Sequence, residues 1–547
     1  MTPKKINNQK PKTNRLGFWL LVLCVLALSW TLNTAALDWG QTGSVSWTLD
    51  SIEGRITAIY LPQLFKTWTH KYPRGQYLIS AVFYQPLIKK WQSDPVTIEL
   101  PNGQIAQTAI NQKRLYKLAG ITRQITVFMS IGTLLAVFLT ARKLFDDNLA
   151  GVLSILCLAL SCHFMFYSKT GNVDIPAFFW FAWASFFGLY AINSGNLPCY
   201  LLAGFCSAWS VCTKEGVAAF HIGLAAGLAV LLIRTKVQSG QPLKKALLSL
   251  IHWKVLAAIA LAIFVFLTLE GFWGGMEEWH YRSQFWSGRI DSEFKSQKAG
   301  VFTLLERTYN GLHAGWGTPF LILLLVSLIY WMIKYRWQLC LTVLPFLAFF
   351  FLTVLLIGQN IPRFMICGYA GIAIIMGKAL ADWCRFVKIP RAARYALPLL
   401  VLLPSFICCI CFNLEMNRDT RVRAEIWMKE NANHGATVGL SMIQDNGPRI
   451  GLDGFRAIPQ WNSQGIDTKN GKVRIWPDYI IGSNQWPCNS ETDGAFFKKL
   501  FAGETEYQKQ AEFNKLYFKK DTLLWKYCLR FYRLHSRISP RMMIYRK

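Results

Sequence analysis

The sequence predicts an α-helical multi-pass integral membrane protein that carries a small α/β domain at its C-terminal end. Three observations predict it. Long apolar runs recur through the first 414 residues, the chain is 53% hydrophobic and only 16% charged, and 59 Lys and Arg against 30 Asp and Glu give a net charge of +29. A mean hydropathy of +0.25 lies outside the range of water-soluble globular proteins. On such a chain a basic surplus serves anionic headgroups and lipid phosphates, and nucleic acid is set aside.

The chain opens with Lys4, Lys5, Lys10, Lys12 and Arg15 and then runs apolar from Leu16 to Ala36. A run of about twenty residues exceeds a signal-peptide core, so it reads as a retained anchor behind a cytoplasmic tail, residues 1–15. Further runs near spanning length begin around Lys117, Gly151, Ile175, Tyr200, Val217, Val255, Pro319, Gln338, Phe364 and Ala396, about eleven spans in all, with the Tyr200 run the weakest. With the N-terminus inside, the cytoplasmic links carry Arg142 and Lys143, then Arg234, Lys236, Lys244 and Lys245, then Lys334 and Arg336, then Arg385, Lys388, Arg391 and Arg394. This is the positive-inside pattern. The expected organisation is a transmembrane domain, residues 16–414, whose first external loop is 37–116, followed by an extracytoplasmic domain, 415–547.

In that last domain Arg421–Asn431 reads as an amphipathic helix, Ala436–Met442 and Trp476–Ile481 as strands, and Glu504–Leu516 as a helix, ahead of a basic, aromatic end from Lys515 to Lys547. Most of the 14 Cys lie in apolar runs and behave as small hydrophobes. Cys488 and Cys528 fall in the C-terminal domain, where a disulfide between them stays open.

The residues that could carry chemistry gather on the external side. The first loop holds Asp38, Asp50 and Glu53, then His70-Lys71-Tyr72-Pro73-Arg74-Gly75, then an apolar stretch, Leu78–Ile88, that is too short to span and suits an interfacial helix. Asp50 and Glu53 also have the spacing of an ordinary helix start. Asp174, in Asn172-Val173-Asp174-Ile175-Pro176, stands at another external junction, where a cap is the plain alternative to a functional acid. Thr213-Lys214-Glu215-Gly216 and Gln359-Asn360-Ile361-Pro362-Arg363 are two more such junctions, with a snorkelling cation as the plain alternative.

In their order, Asp50, Lys71-Tyr72-Pro73, Ala141-Arg142-Lys143-Leu144-Phe145, Asn172–Pro176, Thr213–Gly216 and Pro362-Arg363-Phe364 resemble the lipid-linked-sugar transferases of the GT-C fold, with the closest look to the aminoarabinose transferases and the protein O-mannosyltransferases. The resemblance covers about Leu16 to Leu414 and implies a glycosyltransferase whose donor is a sugar on a polyprenyl phosphate. It assigns Asp50 to the catalytic acid, with Glu53 beside it and Asp174 as the second acid. Lys71 falls on a lysine that contacts the lipid phosphate, joined by Arg74, Lys214 and Arg363 as donor-binding candidates. Two departures stand out: the loop acids are spaced as Asp50 and Glu53, and Tyr72 replaces a proline after the lysine.

A carboxylate such as Asp50 would take the proton of an acceptor hydroxyl as it attacks the anomeric carbon, while the cations stabilise the leaving phosphate. No cofactor is required by the sequence. A divalent metal bridging Asp50 and Asp174 stays open, although no His or Cys spacing marks a site. There is no Gly-x-Gly-x-x-Gly, phosphate loop or Asp-x-Asp pair of the kind that nucleotide-sugar enzymes use. The expected partners are the lipid-linked sugar, membrane lipids and an acceptor that is lipid, polysaccharide or protein, and the expected location is a bacterial inner membrane. A transporter or lipid flippase is the competing reading, but its charges would sit near the bilayer midplane rather than at one face.

Overall fold

The computed structural model describes residues 15–41, 72–99, 105–108, 111–270, 280, 284, 299–386, 388, 390–441, 447–450, 455–458, 466–468, 471–473, 476–483, 491–518 and 540–547. The transmembrane part contains α1 (Arg15–Thr34), α2 (Gly75–Ser93), the strands β1 (Val96–Glu99) and β2 (Ile105–Thr108), α3 (Gln112–Phe145), α4 (Asn148–Ala159), α5 (Cys162–Lys169), α6 (Asp174–Ser194), α7 (Leu197–Val211), α8 (Ala218–Gln238), α9 (Leu243–Leu248), α10 (Trp253–Leu269), α11 (Val301–Lys334), α12 (Arg336–Phe349), α13 (Tyr369–Arg385) and α14 (Arg391–Asn417).

All eleven apolar runs are helical. Among the described residues nine helices are each long and apolar enough to cross a membrane, and α4 with α5 makes a tenth span bent by 67°. The eleventh, α7, has 15 residues. At 1.5 Å per residue that is roughly 22 Å, short of a hydrocarbon core of about 30 Å, which is why its run is the weakest signal.

The α4–α5 bend must satisfy the carbonyls it releases, because no water reaches them at that depth. Trp316 Nε1–H donates to Cys157 O at 2.9 Å and the Cys409 thiol donates to Leu160 O at 3.5 Å. Ser161 Oγ accepts the Phe164 N–H and restarts the helix. A second break falls in α11 at Gly317, whose φ of 72° suits only glycine, with Pro319 just after it. Elsewhere the helices meet through small residues. A Cβ on Gly223 or Gly227 of α8 would lie 2.3 Å from Leu344 O or 2.8 Å from Leu341 Cα of α12.

The helices run between two ends. At one, α1 finishes, α3 and α6 begin and α14 finishes; at the other, a network of charges ties helix ends together. There Asp147 caps α4 through the Ala150 N–H and accepts Arg385 Nη2 at 2.8 Å and Lys378 Nζ at 3.1 Å. Lys378 also donates to Asp382 at 2.6 Å, and Asp382 accepts the hydroxyls of Tyr330 and Tyr335. Around this end Arg142 packs over Trp19, Lys143 over Tyr190, and Arg234 and Arg336 over Trp337. These are the links that the charge pattern assigns to a single side.

The expected interfacial helix is longer than Leu78–Ile88: α2 spans 19 residues. It buries Tyr77, Ser80, Tyr84, Ile88 and Trp91, and Tyr84 donates to Leu118 O of α3 at 2.8 Å. Val82 and Phe83 project from its other face, 71% and 53% exposed, as a helix lying on an apolar phase would leave them.

The C-terminal domain is a three-layer α/β unit. It comprises α15 (Thr420–Asn431), β3 (Thr437–Leu440), β4 (Arg456–Ile458), the short pair β5 (Ile466–Thr468) and β6 (Gly471–Val473), β7 (Tyr479–Ser483), α16 (Glu491–Ala502), β8 (Gln508–Phe513) and β9 (Met542–Arg546). The main sheet has the order β4-β3-β7-β9-β8, with β3 parallel to β4 and β7, and β9 antiparallel to β7 and β8. Alternation along the strands sends Tyr479, Ile481, Met542 and Ile544 toward Ala424 and Met428 of α15, and Ile480, Met543 and Tyr545 toward Phe497 and Leu500 of α16.

One expectation fails here. Glu504–Leu516 is not a helix but contains the edge strand β8, paired with β9. Its polar, half-exposed residues carry little periodicity, and pairing with a neighbour decides the outcome. The helix lies earlier, at Glu491–Ala502. Cys488 and Cys528 lie outside the described residues.

Burial alone would raise the Asp147 carboxyl, but the Arg385 hydrogen bond, the Ala150 N–H and the Arg385 and Lys378 charges hold it at about 2. A folded value below the ordinary 3.8 means that the stabilisation is complete above about pH 4 and is lost as pH falls toward 2. Asp147→Asn is therefore expected to cost about 2 kcal/mol at pH 7. Thermal unfolding in detergent checks this, and the gap from wild type should close as the buffer is taken from pH 4 to 2.

Candidate active site

The site lies at the end of the bundle opposite that network, where the polypeptide turns between helices. Asp174 stands in the first turn of α6, 2% exposed, yet its side chain caps nothing. The Asn172 side chain accepts the Asp174 N–H at 3.2 Å and does the local capping instead. The Asp174 carboxylate is thereby free to accept from Lys214 Nζ, in the turn after α7, and the two form a buried ion pair. Of the two readings of Asp174 in the sequence, the cap is overturned.

Lys214 is held from several sides. Its N–H donates to Ser210 O at 3.0 Å, and Ser210 Oγ donates across to Ala177 O of α6 at 2.8 Å, so the end of α7 is fastened to the start of α6. The Lys214 ammonium lies 4.8 Å from the Phe364 ring centroid, and the Arg363 guanidinium lies 5.4 Å from the same ring. Lys214 and Arg363 thus flank one aromatic ring, a favourable arrangement where water is scarce.

Arg74 joins from the start of α2. Gly75 N–H donates to Cys212 O at 2.7 Å, and a Cβ at Gly75 would also stand 2.7 Å from that oxygen. Only glycine lets the Tyr72-Pro73-Arg74 run settle this closely on the Cys212–Lys214 turn. Arg74 itself is 3% exposed. Four of the segments singled out in the sequence therefore meet: Lys214 pairs with Asp174, Arg363 shares the Phe364 ring with Lys214, and Arg74 sits on the turn that carries Lys214. Asp50, Glu53 and Lys71 lie outside the described residues.

Between α3, α6, α12 and α13 lies a small apolar cavity of about 30 Å³. It begins at Cys367 and Gly368, one turn beyond Arg363, and at Phe181, two turns beyond Asp174, and reaches Thr140, Ser185 and Ile374.

One group to which the sequence assigns no role completes this end. Lys169 is fully buried and donates to Leu32 O at 2.6 Å and Ala35 O at 2.7 Å at the end of α1, and to the Asn413 side chain of α14. An ion in such surroundings is held only by meeting all its donors. Its one signal in the sequence is a lysine closing an apolar run. Among the described residues no three His, Cys, Asp or Glu side chains converge as a metal site requires. The Asp174 carboxylate is committed to Lys214, and with no such group beside it these described residues do not fit a divalent ion.

Residues 120–268 match the family model of the dolichyl-phosphate-mannose-protein mannosyltransferases. The matched segment contains Ala141–Phe145, Asn172–Pro176 and Thr213–Gly216, and over this part of the chain it bears out the resemblance to membrane glycosyltransferases of the GT-C type. No curated protein matches the chain in sequence. Among solved structures, ArnT from Cupriavidus metallidurans bound to undecaprenyl phosphate is similar at 11% identity with a TM-score of 0.46, covering 97% of this chain and 98% of that one. The Archaeoglobus fulgidus oligosaccharyltransferase in complex with Zn and sulfate is similar at 13% identity with a TM-score of 0.43, covering 90% and 72%. AglB from the same organism, in complex with an inhibitory peptide and a dolichol-phosphate, gives 12% identity and 0.42, covering 91% and 73%.

A buried ion pair predicts asymmetric mutational costs. Lys214→Met alone, which strands the Asp174 charge, is expected to cost about 3–5 kcal/mol, and Asp174→Asn alone a similar amount, whereas the double variant returns most of the loss. A double-mutant cycle on thermal or denaturant unfolding checks it, and additive costs would contradict the pair.

Proposed function

We propose that this protein transfers a sugar from a polyprenyl-phosphate donor to an acceptor outside the cytoplasm. The observation that carries the proposal is the meeting of Arg74, Lys214 and Arg363 at one end of a bundle of spanning helices. A phosphate needs cations, an isoprenoid needs an apolar phase, and a lipid-linked sugar meets both where cations stand at the end of apolar spanning helices.

In this reading the donor phosphate lies against Lys214 and Arg363, with Arg74 and Lys71 beside it. These groups stabilise the charge that gathers on the phosphate as the glycosidic bond breaks, and preorganised cations act more strongly in a dehydrated site than in water. Asp174 is a positioning residue: its carboxylate holds the Lys214 ammonium in place. That leaves proton removal from the acceptor hydroxyl to the first-loop acids, Asp50 with Glu53 beside it. The polyprenyl chain lies along the helices in the bilayer.

The orientation follows from charge. Arg142, Lys143, Arg234, Lys334, Arg336 and Arg385 all lie at the end away from Asp174, and the positive-inside rule puts that end in the cytoplasm. The site and the C-terminal domain then face outward, and a bacterial inner membrane is the setting in which polyprenyl-phosphate sugars meet external acceptors.

Membranes supplied with a panel of radiolabelled undecaprenyl-phosphate sugars provide the assay. Asp50→Asn is expected to lower transfer by about 10²- to 10⁴-fold. Arg363→Gln should lower it by about 10²-fold, acting mainly on turnover. Full transfer by both variants would remove the proposed chemistry, and donor-independent solute flux would favour a transporter.

A further inference from the structure

The C-terminal domain grips the segment at which the first external loop leaves the bundle. Residues 35–41 follow α1 as a series of tight turns, with Leu37 N–H donating to Thr34 O, Trp39 N–H to Ala36 O and Gln41 N–H to Asp38 O. Ala36 takes a φ of 57°, a left-handed conformation that a residue with a side chain adopts only when its surroundings impose it.

Those surroundings come from both domains. On the transmembrane side, Lys169 holds the carbonyls of Leu32 and Ala35, Arg123 Nη1 donates to Leu37 O at 2.6 Å and Trp39 O at 2.7 Å, and Gln41 Nε2 donates to Tyr116 O at 2.5 Å. From the C-terminal side, Asp419 accepts Trp39 Nε1–H at 3.0 Å and is itself paired, fully buried, with Arg421, whose guanidinium lies 5.4 Å from the Trp39 ring. Arg449 then reaches Gln41 O with Nη1 at 3.1 Å, while its Nε and Nη2 are fixed on the Glu425 carboxylate at 3.0 and 2.8 Å.

This is a division of labour within one guanidinium. Two of its nitrogens lock it to α15, and the third is left to hold the main chain of another domain. A bidentate Arg–carboxylate pair fixes direction as well as distance. Gln41 lies near the start of the first external loop, and Asp50 follows nine positions later. We infer that Arg449 and Asp419 of the C-terminal domain are positioning residues for the transfer reaction, acting through Gln41 and Trp39 on the root of the first external loop. The functional half of this inference rests on the reaction proposed above; the structural half does not.

The test uses the full-length protein in nanodiscs, with amide hydrogen exchange over Leu37–Gln41 and transfer kinetics with whichever undecaprenyl-phosphate sugar the wild type consumes. Arg449→Lys keeps a cation for Glu425 without the fork that spans to Gln41. Trp39→Phe keeps the ring but removes the donor to Asp419. Each is expected to speed exchange at these amides by about tenfold and to lower kcat by about tenfold, with the donor KM within about twofold and the unfolding temperature close to wild type. Unchanged exchange in both variants would overturn the inference, as would faster exchange with an unchanged kcat. If the wild type consumes no donor, the proposed reaction fails and the functional half falls with it, while exchange alone decides whether the C-terminal domain holds the loop root.

Discussion

The ion pair between Asp174 and Lys214 is the contact on which the rest of this end of the protein depends. Both side chains are nearly removed from solvent, 2% and 10% exposed, so neither charge is tolerable without the other. Because one sits in the first turn of α6 and the other just past α7, pairing them fixes how two helix ends meet. The turn between them is then the surface on which Gly75 seats Arg74 and toward which Phe364 presents Arg363. Local capping by Asn172 is what leaves the Asp174 carboxylate available for this task.

The two ends of the bundle handle charge differently. At the end opposite the site, Asp147 and Asp382 are matched against Lys378 and Arg385, with two tyrosine hydroxyls completing the network. That is an arrangement that closes on itself and ties helices. At the site end Lys214 is shared between Asp174 and the Phe364 ring, with Arg363 beside the same ring and Arg74 seated on the Lys214 turn. The broken helices follow a parallel rule. The bend after Ala159 persists because Trp316 and Cys409 take up the released carbonyls, so irregular backbone is tolerated where protein surrounds it.

Much of this was legible in the sequence, and what was not has physical reasons. Apolar run length and the placement of basic links gave the helices and the grouping of Asp174, Lys214 and Arg363, because bilayer thickness and surface charge act on every span alike. The bend between Leu160 and Ser161 was hidden, since its cost is met by a tryptophan more than 150 positions away. Lys169 was passed over because a lysine ending an apolar run looks like any snorkelling residue until the carbonyls of α1 are seen around it. Glu504–Leu516 was misread because an edge strand with a half-exposed face has no strong period, and its partner, Met542–Arg546, lies far along the chain. The role of Arg449 was invisible for the same reason: its two partners, Glu425 and Gln41, belong to different domains.

The central claim is that the cationic end of the bundle takes a polyprenyl-phosphate sugar and separates the sugar from the phosphate. The direct measurement is single-turnover chemistry with the purified wild-type protein in nanodiscs of its native lipids, following radiolabelled undecaprenyl-phosphate sugars by chromatography. The account predicts that one donor is consumed, that undecaprenyl phosphate appears in equal amount, and that the label moves to an acceptor. Donors that all remain intact, or that only change leaflet, would contradict it.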